Sequence, residues 1–241
     1  MLTIFLIFFA EPKEVISLNK EFDRIEFYDN QIYLAPFIST SIFKLTQSRD
    51  LEPISFTDEA NYSIYGFHIT PFAIYLNNNK AIEKFYFSSG IKENIYSSRG
   101  ISSFIVTSSD EVILANQSND ELSFLDFTNQ LKFKKTDLHI KDLQTSKNFI
   151  YALTNNRIIR YDEYGNVIEE KKIPEKLDRI LVDGATIFLF SHNKKYFYKF
   201  NNQWQKIEFT YGISDICQND ESIIILDGNG TNLYIFDKSD F

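Results

Sequence analysis

The stretch "NNRIIRYDEYGNVIEEKKI", Asn155 to Ile173, decides the fold. Ile158, Ile159 and Tyr161 carry one short strand. Asp162-Glu163-Tyr164-Gly165-Asn166 supplies turn residues, and Val167 to Ile173 brings the chain back. The first strand ends apolar-x-x-apolar, and that ending recurs through the chain. It closes "SIFKL", "AIEKF", "ELSFL", "YFYKF" and "NLYIF" as well. The closing residues are Leu45, Phe85, Leu125, Tyr161, Phe200 and Phe236, spaced 36 to 40 residues apart. A period of about 40 with four short strands per unit marks a β-propeller blade.

The neighbouring strands keep the same register. One strand earlier stand "QIYLA" (31–35), "AIYLN" (73–77), "EVILA" (111–115), "FIYAL" (149–153), "TIFLF" (186–190) and "SIIIL" (222–226). Before those come "FDRIEF" (22–27), "IYGFHI" (64–69), "ISSFIV" (101–106), "IKDLQT" (140–145), "LDRILV" (177–182) and "ISDICQ" (213–218). These are strands A and B, with the apolar-x-x-apolar strand as C. A fourth strand, D, follows C five times and is missing after Phe236. The unassigned "KEVISL", Lys13 to Leu18, supplies the missing strand. An open sheet edge leaves backbone groups unpaired. The expectation is therefore an all-β, six-bladed propeller of four antiparallel strands per blade, its ring closed by the N-terminal strand.

Composition agrees. Aromatic residues make up 16% of the 241, with 24 Phe and 14 Tyr, a bias toward pleated, half-buried surfaces. The net charge of −8 argues against nucleic acid or an anionic membrane as partner. Cys217 is the single cysteine, so no disulfide framework or cysteine-rich metal cluster is possible. The apolar run Leu2 to Phe9 is too short to span a bilayer and has the length of a signal-peptide core, with Ala10 as a possible cleavage residue. The expected organisation is a signal segment over 1–10 and one propeller domain over 11–241, with no integral membrane segment and an extracytoplasmic location.

The "RYDEYGNVIEE" unit resembles the NHL class of propellers, in which a strand ending in aspartate leads through a glycine turn to the next strand. The likeness covers one blade well. Asp126 and Asp237 repeat the aspartate without the glycine. The resemblance implies binding through one face of a disc and carries over no catalytic residues.

In such a ring, strand A lines the central channel. The third residues of the A strands then form a circle: Arg24, Gly66, Ser103, Asp142, Arg179 and Asp215. Asp142, Arg179, Asp215 and Arg24 come from consecutive blades and alternate in sign. Two meanings compete. One is a belt of salt bridges that neutralises charge near the axis. The other is a polar pocket in which the guanidiniums grip a carboxylate or phosphate. His139 and His192 share that face with Asp142, a conceivable metal set, although no close-spaced motif such as HExxH is present. His68, inside the second A strand, reads as a hydrogen-bonded core histidine.

"LDGNGTN", Leu226 to Asn232, alternates oxygen-bearing residues like a calcium loop, but Asn232 and Lys238 stand where glycine and glutamate are needed. A hairpin turn explains it better. The Asn-rich B–C turns at Asn77, Asn116 and Asn155 fit turn chemistry in the same way. No nucleophile elbow or phosphate loop appears. The expectation is an exported, non-enzymatic scaffold without cofactor, binding a protein, peptide or small anionic ligand. The alternative is a hydrolase or lactonase-type enzyme at the channel mouth, using Asp142 and Asp215. A channel closed by Arg–Asp pairs favours the first.

Overall fold

The computed structural model describes residues 11–136 and 138–241, so the expected signal segment over 1–10 lies outside the described residues. Six four-stranded antiparallel sheets follow one another around a ring. Blade one contains β2 (Arg24–Tyr28), β3 (Gln31–Ala35), β4 (Ser41–Leu45) and β5 (Leu51–Ser55). Blade two contains β6 (Gly66–Ile69), β7 (Ala73–Asn77), β8 (Ala81–Tyr86) and β9 (Lys92–Ser97). Blade three contains β10 (Ile101–Val106), β11 (Val112–Asn116), β12 (Glu121–Leu125) and β13 (Leu131–Lys135). Blade four contains β14 (Asp142–Ser146), β15 (Phe149–Leu153), β16 (Arg157–Tyr161) and β17 (Val167–Lys172). Blade five contains β18 (Arg179–Asp183), β19 (Thr186–Phe190), β20 (Tyr196–Asn201) and β21 (Gln203–Glu208). Blade six contains β22 (Ile213–Gln218), β23 (Ser222–Asp227) and β24 (Asn232–Asp237), and its fourth strand is β1 (Glu14–Ser17).

Burial follows distance from the axis. The second strands are covered on both faces, and β7, β11 and β23 are buried at every residue, so they read as unbroken apolar runs. The outermost strands face water on one side. β17, "VIEEKK", is almost wholly exposed and is charged accordingly. Among the described residues there is no single central core. Six apolar clusters form instead, one between each pair of adjacent blades. Phe22, Ile25 and Leu34 of blade one meet Cys217, Ile224 and Leu226 of blade six in the cluster that closes the ring.

The turns bear out the local chemistry. Asn77, Asn116 and Asp227 are buried and turn inward to hold their own B–C hairpins. Asn116 Oδ1 accepts the Ser118 amide at 2.9 Å, and Asp227 Oδ1 accepts the Thr231 amide at 2.8 Å. In the C–D turn of blade four, the Asp162 carboxylate accepts the amides of Tyr164 and Asn166, and Gly165 takes φ +76°. Arg49 and Asn129 occupy the same left-handed position in blades one and three, at φ 67° and 64°. The backbone turn is therefore shared even where the glycine is not.

Closure rests on β1, which pairs with β24 from Glu14↔Ile235 to Ser17↔Asn232. Ile16 points into the closing cluster and is 7% exposed, whereas Val15 is 45% exposed. Ile16→Ala should cost about 2–3 kcal/mol in urea denaturation, and Val15→Ala less than about 0.5 kcal/mol. Equal losses at both positions would contradict this facing.

Candidate functional site: the central channel

The six A strands bring Arg24, Gly66, Ser103, Asp142, Arg179 and Asp215 to the wall of one cavity of about 310 Å³. The expected circle therefore exists, but its members are not equivalent. Arg179 sits between two carboxylates. Its Nε lies 3.5 Å from Asp142 Oδ2, an ion pair that is not a hydrogen bond, and its Nη2 donates to Asp215 Oδ1 at 3.3 Å. Burial alone lowers the stability of its charge, but Asp142 and Asp215 outweigh burial and hold Arg179 above the ordinary arginine value.

The carboxylates also tie blade to blade through the backbone. Asp142 Oδ2 accepts the Ile180 amide at 3.0 Å, and Asp215 Oδ2 accepts the Ile25 amide at 3.2 Å. Ser103 Oγ donates to Asp142 Oδ1 at 2.7 Å and accepts the Leu143 amide at 3.1 Å. In each case an A-strand side chain holds the A-strand backbone of the following blade. Asp142 and Asp215 are 4% and 2% exposed, so these bonds satisfy charges that burial would otherwise make costly. A bulge in β10 and another in β22 set Ser102 and Ser214 beside these residues. Ser102 donates to Ile140 O at 3.1 Å, which adds a further link between blades three and four.

Arg24 is different. Its Nε donates to Tyr65 O at 3.0 Å and its Nη1 to Asp23 O at 3.0 Å, so its contacts are backbone carbonyls. Among the described residues no carboxylate lies within ion-pair distance of it. Burial and the positive charge of Arg179 push it below the ordinary arginine value, with Asp215 and Asp142 offsetting them only in part. It nonetheless stays charged at neutral pH.

Two further residues line the same cavity. Glu26, two residues after Arg24 and on the same face of β2, meets His68 of β6. His68 Nδ1 is 2.8 Å from Glu26 Oε1, which also accepts the Ile69 amide at 3.2 Å. Glu26 Oε2 is buried without a hydrogen-bond partner. His68 is thus hydrogen-bonded, as expected, but belongs to the channel and not to an apolar core. The period of two along β2 was the signal that could have found this pair.

The other histidines lie elsewhere. His139 pairs with Asp120 at 2.6 Å on the exposed surface, and His192 is an exposed turn residue. The Asp142 carboxylate is engaged with Ser103, Ile180 and Arg179. No group of three His, Cys, Asp or Glu side chains placed to hold a metal ion occurs among the described residues. Burial, and secondarily the Asp215 carboxylate, raise the Cys217 thiol well above its ordinary value and keep it protonated.

Asp142→Ala would leave the Ser103 hydroxyl and the Ile180 amide without their acceptor and remove one of the two carboxylates facing Arg179, at a cost of about 3–5 kcal/mol in urea denaturation. A loss under about 1 kcal/mol would mean that the Asp142 contacts hold nothing. His68 gives a pH signature. Burial lowers its affinity for a proton, but Glu26 overcomes this and raises it above the ordinary 6.5. Folding then favours the protonated form. The pair's stabilisation is complete below pH 6.5 and is lost as pH rises through the raised value. The stability advantage of the wild type over His68→Phe should shrink over that upper range. A constant difference across pH would refute the pairing.

No family model matches the chain, and no curated protein matches it. Solved structures do. A streptogramin B lyase structure superposes with a TM-score of 0.66 at 12% identity, covering 93% of this chain and 86% of that one. A chain of a mitotic checkpoint complex gives 0.68 at 10% identity, covering 98% and 94%. The WD40 propeller domain of Doa1 gives 0.68 at 12% identity, covering 90% and 79%. At such identities the likeness shows the fold alone: this chain is a six-bladed β-propeller.

Proposed function

We propose that the protein is a non-enzymatic binding scaffold whose channel takes a small oxyanion, a carboxylate or phosphate, on Arg24. One observation carries this reading. Of the two channel arginines, Arg179 is spoken for by Asp142 and Asp215, whereas Arg24 faces a cavity of about 310 Å³ with only backbone carbonyls as partners. A guanidinium in such a setting binds an oxyanion strongly, because water is partly excluded and its planar donors match the ligand. Arg179 and its carboxylates are the belt, and Arg24 is the grip.

An enzyme of hydrolase or lactonase type is the competing reading. Its support is the Glu26–His68 pair, an acid and a base on the same cavity wall. Against it, Asp142 and Asp215 are already committed to holding Arg179 and the neighbouring backbone. The similar structures include both a lyase and a chain from a checkpoint complex, so fold does not choose between the classes.

Calorimetry with inorganic phosphate and with citrate tests the proposal. Saturable binding of one of them should weaken at least about tenfold in Arg24→Gln, with the circular dichroism spectrum unchanged. Binding that is undiminished in Arg24→Gln, or absent from the wild type, would sink it.

A further inference from the structure

We infer that the cleft between blades four and five, on the face that carries the A–B turns, is a second oxyanion site. It is built from the A–B turns of both blades and the strands behind them, and has a volume of about 340 Å³. Its charged lining is Lys147, Arg160 and Lys171 against Glu169 alone. That is a local excess of positive charge on a chain whose net charge is −8. The cleft is therefore locally favourable for an anion.

The two central cations are incompletely satisfied. Glu169 is shared between Arg160 Nη1 at 3.3 Å and Lys171 Nζ at 3.6 Å. Both distances exceed the roughly 2.7–2.9 Å of a charge-assisted hydrogen bond. Arg160 Nε is buried and has no partner at all. At the same time both cations are held in place. The Arg160 guanidinium lies 4.8 Å over the Phe149 ring, and Lys171 Nζ lies 3.7 Å over the Phe200 ring. Stacking of this kind orders the side chains before a ligand arrives and lowers the entropy lost on binding. A carboxylate or phosphate entering the cleft would take the place that the single Glu169 carboxylate fills poorly.

The site carries its own reporter. The only tryptophan, Trp204, packs edge-on against Phe200 with ring centroids 5.0 Å apart. Its fluorescence should respond to occupancy of the cleft. The titration is done in an Arg24→Gln background, so that failure of the channel reading cannot be confused with failure here. Two probes separate the sources of the oxyanion: inorganic phosphate for a free ion, and an acetylated tetraglutamate peptide for an acidic segment of a partner. Saturable binding of either probe is expected, by fluorescence and by calorimetry. Adding Arg160→Gln and Lys171→Gln together should weaken it at least about tenfold. Glu169→Gln removes the internal competitor and should strengthen it several-fold, a gain that a misfolded variant would not show. Absence of binding by both probes would overturn the inference. So would equal affinity in the double-glutamine variant, or no gain in Glu169→Gln.

Discussion

Everything in this molecule depends on joining its ends. β1 pairs with β24 across more than two hundred residues of chain, and the Lys13 and Leu18 amides extend that pairing at 2.8 and 2.7 Å. Without β1, the sixth blade would end at an unpaired edge and Ile16 would leave the cluster shared by blades six and one. The sheets pack only against their two neighbours. Each therefore relies on the ring being complete, because a broken ring exposes two apolar faces at once. The closed ring brings the A strands together on one axis.

Convergence creates an electrostatic problem that the channel solves with its own side chains. Polar residues must line a narrow passage flanked by apolar interfaces, where unpaired charge is costly. Asp142, Asp215 and Ser103 answer by bonding the backbone of the next blade, so that the polar lining is also the inner seam of the ring. Carboxylates identified only by position look like candidate acids and bases, but in the structure they meet Arg179 and the backbone of the next blade, while Arg24 meets backbone carbonyls.

The two proposed sites share a physical logic. Each holds its cations with too little opposing charge: backbone carbonyls for Arg24, and aromatic rings with one shared carboxylate, Glu169, for Arg160 and Lys171. Both stand on a chain of overall negative charge.

The sequence by itself determined the architecture. Strand period, blade count and the borrowed first strand were all legible, because apolar alternation and turn residues are local signals and a ring has one way to use a leftover strand. It also placed Arg24, Ser103, Asp142, Arg179 and Asp215 on the channel, since a position within a repeat fixes a direction. Tertiary structure alone decided what those residues do. Which arginine is neutralised depends on side chains brought together from blades four, five, six and one. The period of two put Glu26 on the channel face of β2, but that it meets His68, and that the basic cleft forms, depended on partners from different blades, which no pattern within one repeat records.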